Sequence, residues 1–151
     1  MDCSELKGKI IEHCTDIFQR KLLIINDELK HLSQAVEEDT KSSAGDKYET
    51  GREIANLEKE KLHVQALGFK NSLATLSNLP QSTSAKIDMG SLIQTNKEWI
   101  YLSISLGQLA VEGEEVLVIS PLAPLARLLM GKENGETVTF RSNNYKIINI
   151  C

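Results

Sequence analysis

The side chains best able to do chemistry gather in one short stretch. Residues 37–49 hold Glu37, Glu38, Asp39, Asp46 and Glu49 against Lys41 and Lys47, a local net charge of −3. Carboxylates are hard oxygen donors, suited to Mg²⁺ rather than to soft metals. Other chemical constellations are missing. His13, His31 and His63 stand 18 or more residues apart, with no Ser-His-Asp spacing or nucleotide fingerprint around them. Gly131-Lys132 lacks the upstream glycine and following Ser or Thr of a phosphate loop. Cys3, His13 and Cys14 match no familiar zinc spacing. Three cysteines (Cys3, Cys14 and Cys151) with no CxxC pair predict unpaired thiols in a reducing compartment. A self-contained enzyme is not expected.

The rest of the chain is close to neutral. Its 151 residues carry 17 Lys+Arg and 21 Asp+Glu, a formal charge of −4, so the acidic stretch supplies most of the excess. Binding DNA through a basic face of its own is therefore not expected. No apolar run approaches the roughly 18 residues of a membrane span. The start, Met1-Asp2-Cys3-Ser4-Glu5, is acidic and polar and does not read as a signal peptide. A cytoplasmic monomer is the expectation.

Long helices must hold the acidic stretch. Pro80, Pro121 and Pro124 are the chain's prolines, so the first 79 residues are free of helix breakers. Over residues 4–38, Ile11, Phe18, Ile25 and Leu32 repeat every seven, and Leu22, Leu29 and Val36 interleave with them. This is the spacing of a coiled-coil seam. Residues 47–77 continue helically, with Ile54, Leu57, Leu62, Ala66, Phe69, Leu73 and Leu76 expected near one face. The polar segment from Glu38 to Asp46 reads as a turn, and Asp46 with Glu49 as a capping box opening the second helix. Two striped helices joined by a short turn predict an antiparallel hairpin over residues 1–79, each arm about 45–50 Å long. Its tip carries the acidic stretch.

A polar linker over 80–90 separates this hairpin from β-patterned sequence at 91–151. Strands are expected at Ser91–Thr95, Trp99–Ser105, Glu115–Ile119, Thr137–Arg141 and Tyr145–Ile150, punctuated by Gly107, Gly113 and Asn143-Asn144. Trp99 and Tyr101 read as sheet-face residues. One helix interrupts, opened by a proline after Ser120 or Ala123 and closed by Gly131. Leu122, Leu125, Ala126, Leu128, Leu129 and Met130 are expected on its apolar face. The class is α+β: a helical hairpin, then a small antiparallel sheet with one helix.

These residues carry a resemblance. The run from Ile119-Ser120-Pro121-Leu122 through Pro124-Leu125-Ala126-Arg127-Leu128-Leu129-Met130-Gly131-Lys132, then Gly135-Glu136-Thr137-Val138 and Tyr145-Lys146-Ile147-Ile148, resembles the C-terminal domain of the GreA/GreB transcript-cleavage factors. Asp46-Lys47-Tyr48-Glu49-Thr50-Gly51-Arg52-Glu53 is similar to the start of their second hairpin arm. The resemblance implies an FKBP-like globular domain that docks on RNA polymerase, here through Pro121, Leu122, Pro124, Arg127 and Lys132. It also implies a hairpin tip that enters the secondary channel. There Glu38, Asp39, Asp46 and Glu49 would act on the polymerase active site, with Asp39 and Asp46 sharing a Mg²⁺. Nucleic acid would be reached only through the polymerase. The family places a Glu three residues after the tip Asp, and Ser42 stands there. Ala123 stands where the family has a Ser. Cleavage stimulation and inhibition both remain open, as does a helical-hairpin interaction module with no polymerase role.

Overall fold

The proline-free stretch forms two long helices. In the computed structural model α1 spans Cys3–Thr40 and α2 spans Gly45–Asn78. The structure describes residues 1–40, 45–80 and 84–151, with the backbone alone at 39–40 and 45–49. The chain divides into one unit of residues 16–73 and another of residues 1–15 with 74–151. Among the described residues, no helix is long and apolar enough to cross a membrane.

Within residues 16–73 the two helices run antiparallel. Phe18 meets Phe69 with ring centroids 5.9 Å apart, Ile25 packs with Leu62 and Ala66, and His31 and Leu32 share a groove with Glu58 and Leu62. On α1 the heptad positions Phe18, Leu22, Ile25, Leu29, Leu32 and Val36 are all buried or half-buried. On α2 the expected stripe needs correction. Ile54 and Leu57 are 63% and 68% exposed. Stepping back from Ala66 by four and three residues reaches Leu62, Lys59 and Ala55, and those positions face inward. Ile54 precedes Ala55 by one residue, which on a helix is a turn of about 100° away from the seam. The Lys21 ammonium lies 5.5 Å from the Phe18 ring and 5.6 Å from the Phe69 ring, covering this aromatic pair with a cation.

The other unit is built on a six-stranded sheet. Its strands are β1 (Leu92–Thr95), β2 (Trp99–Leu102), β3 (Gly107–Val111), β4 (Glu114–Ile119), β5 (Thr137–Phe140) and β6 (Asn143–Ile150), and α3 (Pro124–Leu129) falls between β4 and β5. The spatial order is β3-β4-β2-β1-β6-β5. Every pairing is antiparallel except β2 with β4, which is parallel. The α+β class with a largely antiparallel sheet is as expected, and the parallel β2–β4 pair is the one departure. The sequence reading missed β3, Gly-Gln-Leu-Ala-Val, whose single β-branched residue is the last, Val111. Since β3 lies at the edge and hairpins back into β4, β4 enters beside β2 running in the same direction.

One face of the sheet packs on α3. Ile93, Ile100, Leu102, Val138, Tyr145 and Ile147 form a core with Leu125, Ala126 and Leu129. Leu92, Tyr101, Val116 and Val118 alternate with that set and so point to the opposite face; all four are buried. Leu6, Ile10 and Cys14 of α1 and Leu76 of α2 are buried in the same unit. Cys14 lies near enough to Tyr101, on this second face, to act on it electrostatically.

The cysteine expectation also needs correction. Cys3 and Cys151 form a disulfide, with Cα atoms 6.3 Å apart across a sequence separation of 148; only Cys14 is free. Sequence spacing could not reveal this, because the fold itself brings the first turn of α1 beside the end of β6.

Burial pushes the Cys14 thiol up to about 11. The Tyr101 hydroxyl is also raised, by burial first and by Cys14 second. For an acid whose folded pKa is raised, stability is intact below the unfolded pKa and is lost as pH climbs through the folded one. The unfolding midpoint should therefore hold steady through neutral pH and fall from about pH 9 towards 11. Cys14 alone should contribute about 2–3 kcal/mol to the fall. Urea unfolding across pH tests this. The Cys14→Ala chain should lose its early, Cys14-dependent part of the fall, and an unchanged pH profile would refute the assignment.

Strand β5 returns into β6 through Arg141 and Ser142, with φ of 48° and 66° between the paired Phe140 and Asn143. Two central residues at positive φ mark the two-residue turn that suits twisted strands. Asn143 and Asn144, expected to break the strand, belong to β6 instead. The reason is register: Val138 pairs with Tyr145 and both point into the core, which fixes the turn one step earlier. Neither Arg nor Ser is at ease in this geometry, and the left-handed region costs an L-residue about 1–2 kcal/mol. Arg141→Asn with Ser142→Gly should raise stability by about 1–2 kcal/mol, measured by thermal or urea unfolding. The gain is net of the lost contact between the Arg141 guanidinium and the Phe140 ring, 5.0 Å away.

Candidate functional site

Two candidate surfaces emerge, one in each unit. The first is the acidic end of the hairpin. Glu37 and Glu38 are exposed near the end of α1, whose last turn carries no basic residue. The helix macrodipole is negative at this end, so acids here are placed against it. Along the backbone, Asp39 is the penultimate residue of α1, Asp46 the second residue of α2, and Glu49 lies one turn further on. The acids therefore flank the connection at residues 41–44. That connection, with Ser42, lies outside the described residues, as do the side chains of Asp39, Asp46 and Glu49 and the expected cap between the last two. The helices approach the turn more closely than the sequence suggests, since α2 already begins at Gly45.

The second surface is the segment around α3. Ser120 closes the turn that leads into it: its Oγ accepts from the Leu122 N–H at 3.2 Å, and its C=O accepts from the Ala123 N–H at 3.1 Å. The N-cap of α3 is Ala123, with Pro124 following and no side-chain cap. Ser120 therefore stabilises the preceding turn and does not replace the missing hydroxyl at the helix start. Proline at the first helical position does remove one of the N–H groups that a cap would have served. At the other end Gly131, with φ of 79°, turns the chain as expected. Its N–H donates to the Ile87 C=O at 2.8 Å, and the Ile87 N–H donates to the Lys132 C=O at 2.9 Å. The segment before β1 thus clamps the C-terminal end of α3.

A helix of six residues has one buried face, and Leu125, Ala126 and Leu129 take it. Leu122, Leu128 and Met130 were expected on the same face but are exposed, Leu122 at 74%. Arg127 and Pro124 are exposed beside them; Pro121 and Lys132 are half-buried. The structure therefore gathers Pro121, Leu122, Pro124, Arg127 and Lys132 along one short segment and adds Leu128 and Met130, which sequence reasoning assigned to the core. Leu122 and Met130 fall outside α3, and Leu128 lies off the face that Leu125, Ala126 and Leu129 bury. Exposed apolar side chains interleaved with cations suit a protein partner.

Among the described residues, no group of three or more His, Cys, Asp or Glu is placed to hold a metal. No protein-family model matches the chain, and no curated protein matches it. Among solved structures the chain is similar to the transcription factor Gfh1, at 17% identity over 90% of this chain and 92% of that one, with a TM-score of 0.37. It is similar also to GreA factor homolog 1 (Gfh1) of Thermus thermophilus, at 15% identity, 91% and 94% coverage and a TM-score of 0.36. Gfh1 of Thermus aquaticus is 17% identical over 89% and 92%, with a TM-score of 0.30.

Proposed function

We propose that this chain is a Gre-like transcription elongation regulator. It binds RNA polymerase through the α3 segment, presents its acidic hairpin end in the secondary channel and modulates the active-site Mg²⁺ chemistry. It is not an enzyme by itself and meets nucleic acid only through the polymerase. The observation that carries this reading is the α3 segment. The residues that resemble the family motif, from Ser120 to Lys132, expose Leu122, Leu128, Met130 and Arg127 where a buried role would have hidden them. With a polymerase partner the protein would work in the cytoplasm, and we take it to be a monomer. Disulfides are rare in reducing compartments, so that placement rests on the partner and not on the cysteines.

The donor chemistry at the hairpin end fits a shared Mg²⁺. Asp39 and Asp46 would hold it, with Glu38 and Glu49 beside them, and carboxylate oxygens are what magnesium takes. The acids at the end of α1 sit where the helix dipole is negative, a position that favours a bound cation. When bound, such an ion lowers the pKa of water and stabilises a leaving oxygen. The chain's own part is to carry hard donors on two helices packed along a common seam.

The test is 3′-end RNA cleavage by stalled polymerase complexes. Adding the chain should change the cleavage rate several-fold, upward for a cleavage factor or downward for an inhibitor. An unchanged rate at saturating chain would overturn the reading. A second reading, a hairpin interaction module with no polymerase role, is favoured by the exposed Leu23, Ile24, Ile54, Leu57, Val64 and Leu67. It predicts self-association or another partner, and no binding to polymerase.

A further inference from the structure

A cavity of about 270 Å³ opens among residues of the first turns of α1 and the end of α2. Ser4, Lys7 and Gly8 line it from α1, together with Ile11; Leu76 and Ser77 line it from the end of α2. Lys7 is the unusual member. It is only 8% exposed, yet it has no ion-pair or hydrogen-bond partner among the described residues, whose salt bridges join Arg20 to Asp16 and His31 to Asp27. Lysines are rarely so buried without a partner. Burial without a counter-charge holds its ammonium below the ordinary range. Gly8 shapes the space: a Cβ built there meets nothing within 4 Å. The walls combine one cation and two hydroxyl-bearing residues with the apolar side chains of Ile11 and Leu76.

We propose that this cavity binds a small organic anion, one carboxylate on a short apolar body, with the Lys7 ammonium as its anchor. The carboxylate supplies the counter-charge that the protein does not provide to Lys7, and a charge-assisted hydrogen bond to a shielded ammonium is stronger than one in water. The apolar body displaces water from Ile11 and Leu76. Neither half of the ligand suffices: an alcohol of the same length lacks the charge, and inorganic phosphate lacks the body. The site is independent of the polymerase surfaces and stands whether or not the chain binds polymerase.

The test is an NMR titration of the ¹⁵N-labelled full chain with hexanoate, 1-hexanol and inorganic phosphate in parallel. Hexanoate should produce saturable amide shifts centred on Ser4, Lys7 and Gly8, and the other two should bind at least tenfold more weakly. Lys7→Met keeps the stem and removes the charge; it should weaken hexanoate at least tenfold. Gly8→Leu fills the space while keeping Lys7 and should weaken it as much, so the outcome does not depend on one variant folding. No saturable shift in the wild-type chain overturns the proposal. So does undiminished hexanoate binding in a folded Lys7→Met chain, or phosphate or hexanol binding as tightly as hexanoate.

Discussion

Asp39→Ala combined with Asp46→Ala should return transcript cleavage in stalled complexes to the rate of polymerase alone, while binding to the polymerase stays within about twofold of the unmodified chain. The two acids lie on opposite sides of the hairpin connection, one at the end of α1 and one at the start of α2. Each would give Mg²⁺ a hard donor, and a methyl group gives none. The α3 surface belongs to the other unit and is left untouched. Alanine is also the best helix former, so both helix ends should persist, and removing Asp39 relieves an unfavourable interaction with the α1 dipole. A double variant that acts like the unmodified chain would show that the effect does not run through these carboxylates. Equal loss of effect and of binding would move them from the chemistry to the docking surface.

Cys3→Ser combined with Cys151→Ser should lower the free energy of unfolding by about 3–5 kcal/mol. A link across 148 residues removes much of the unfolded chain's freedom, about 5 kcal/mol in a loop-closure account. Removing a native disulfide typically costs about 2–5 kcal/mol. The urea dependence should steepen in the variant, since an unlinked unfolded chain exposes more surface. Reductant should reproduce the loss in the unmodified chain and do nothing to the double variant. Cys14 should not confuse the experiment. It is buried, and a thiol pushed up to about 11 supplies little thiolate near neutral pH for exchange. Coincident unfolding curves for the variant and the unmodified chain would mean that the link contributes nothing.

The sequence revealed the two helices, their antiparallel seam on α1 and the turn of chain at Gly131, because hydrophobic period and helix breakers are local signals. It misplaced the upper seam of α2 for a physical reason. Ile54 and Leu57 are the apolar residues there, yet the seam passes through Ala55 and Lys59, whose inward position depends on phase counted from Leu62 and Ala66. Strand β3 was illegible because Gly, Gln, Leu and Ala, with little local preference, precede its single β-branched residue, Val111; its pairing with β4 decides it. The Cys3–Cys151 link and the buried Lys7 are tertiary facts with no local trace. At the candidate site the acids and the Pro121–Lys132 segment were legible from charge and motif. The exposure of Leu128 and Met130 was not, since it follows from which face of α3 meets the sheet.

Binding of the full chain to purified core RNA polymerase tests the central claim most directly. The account predicts saturable binding that Leu122→Asp with Arg127→Glu weakens at least tenfold. Both residues are exposed, so these changes should leave the fold intact. No binding by the folded, unmodified chain, or binding indifferent to that pair, would contradict it.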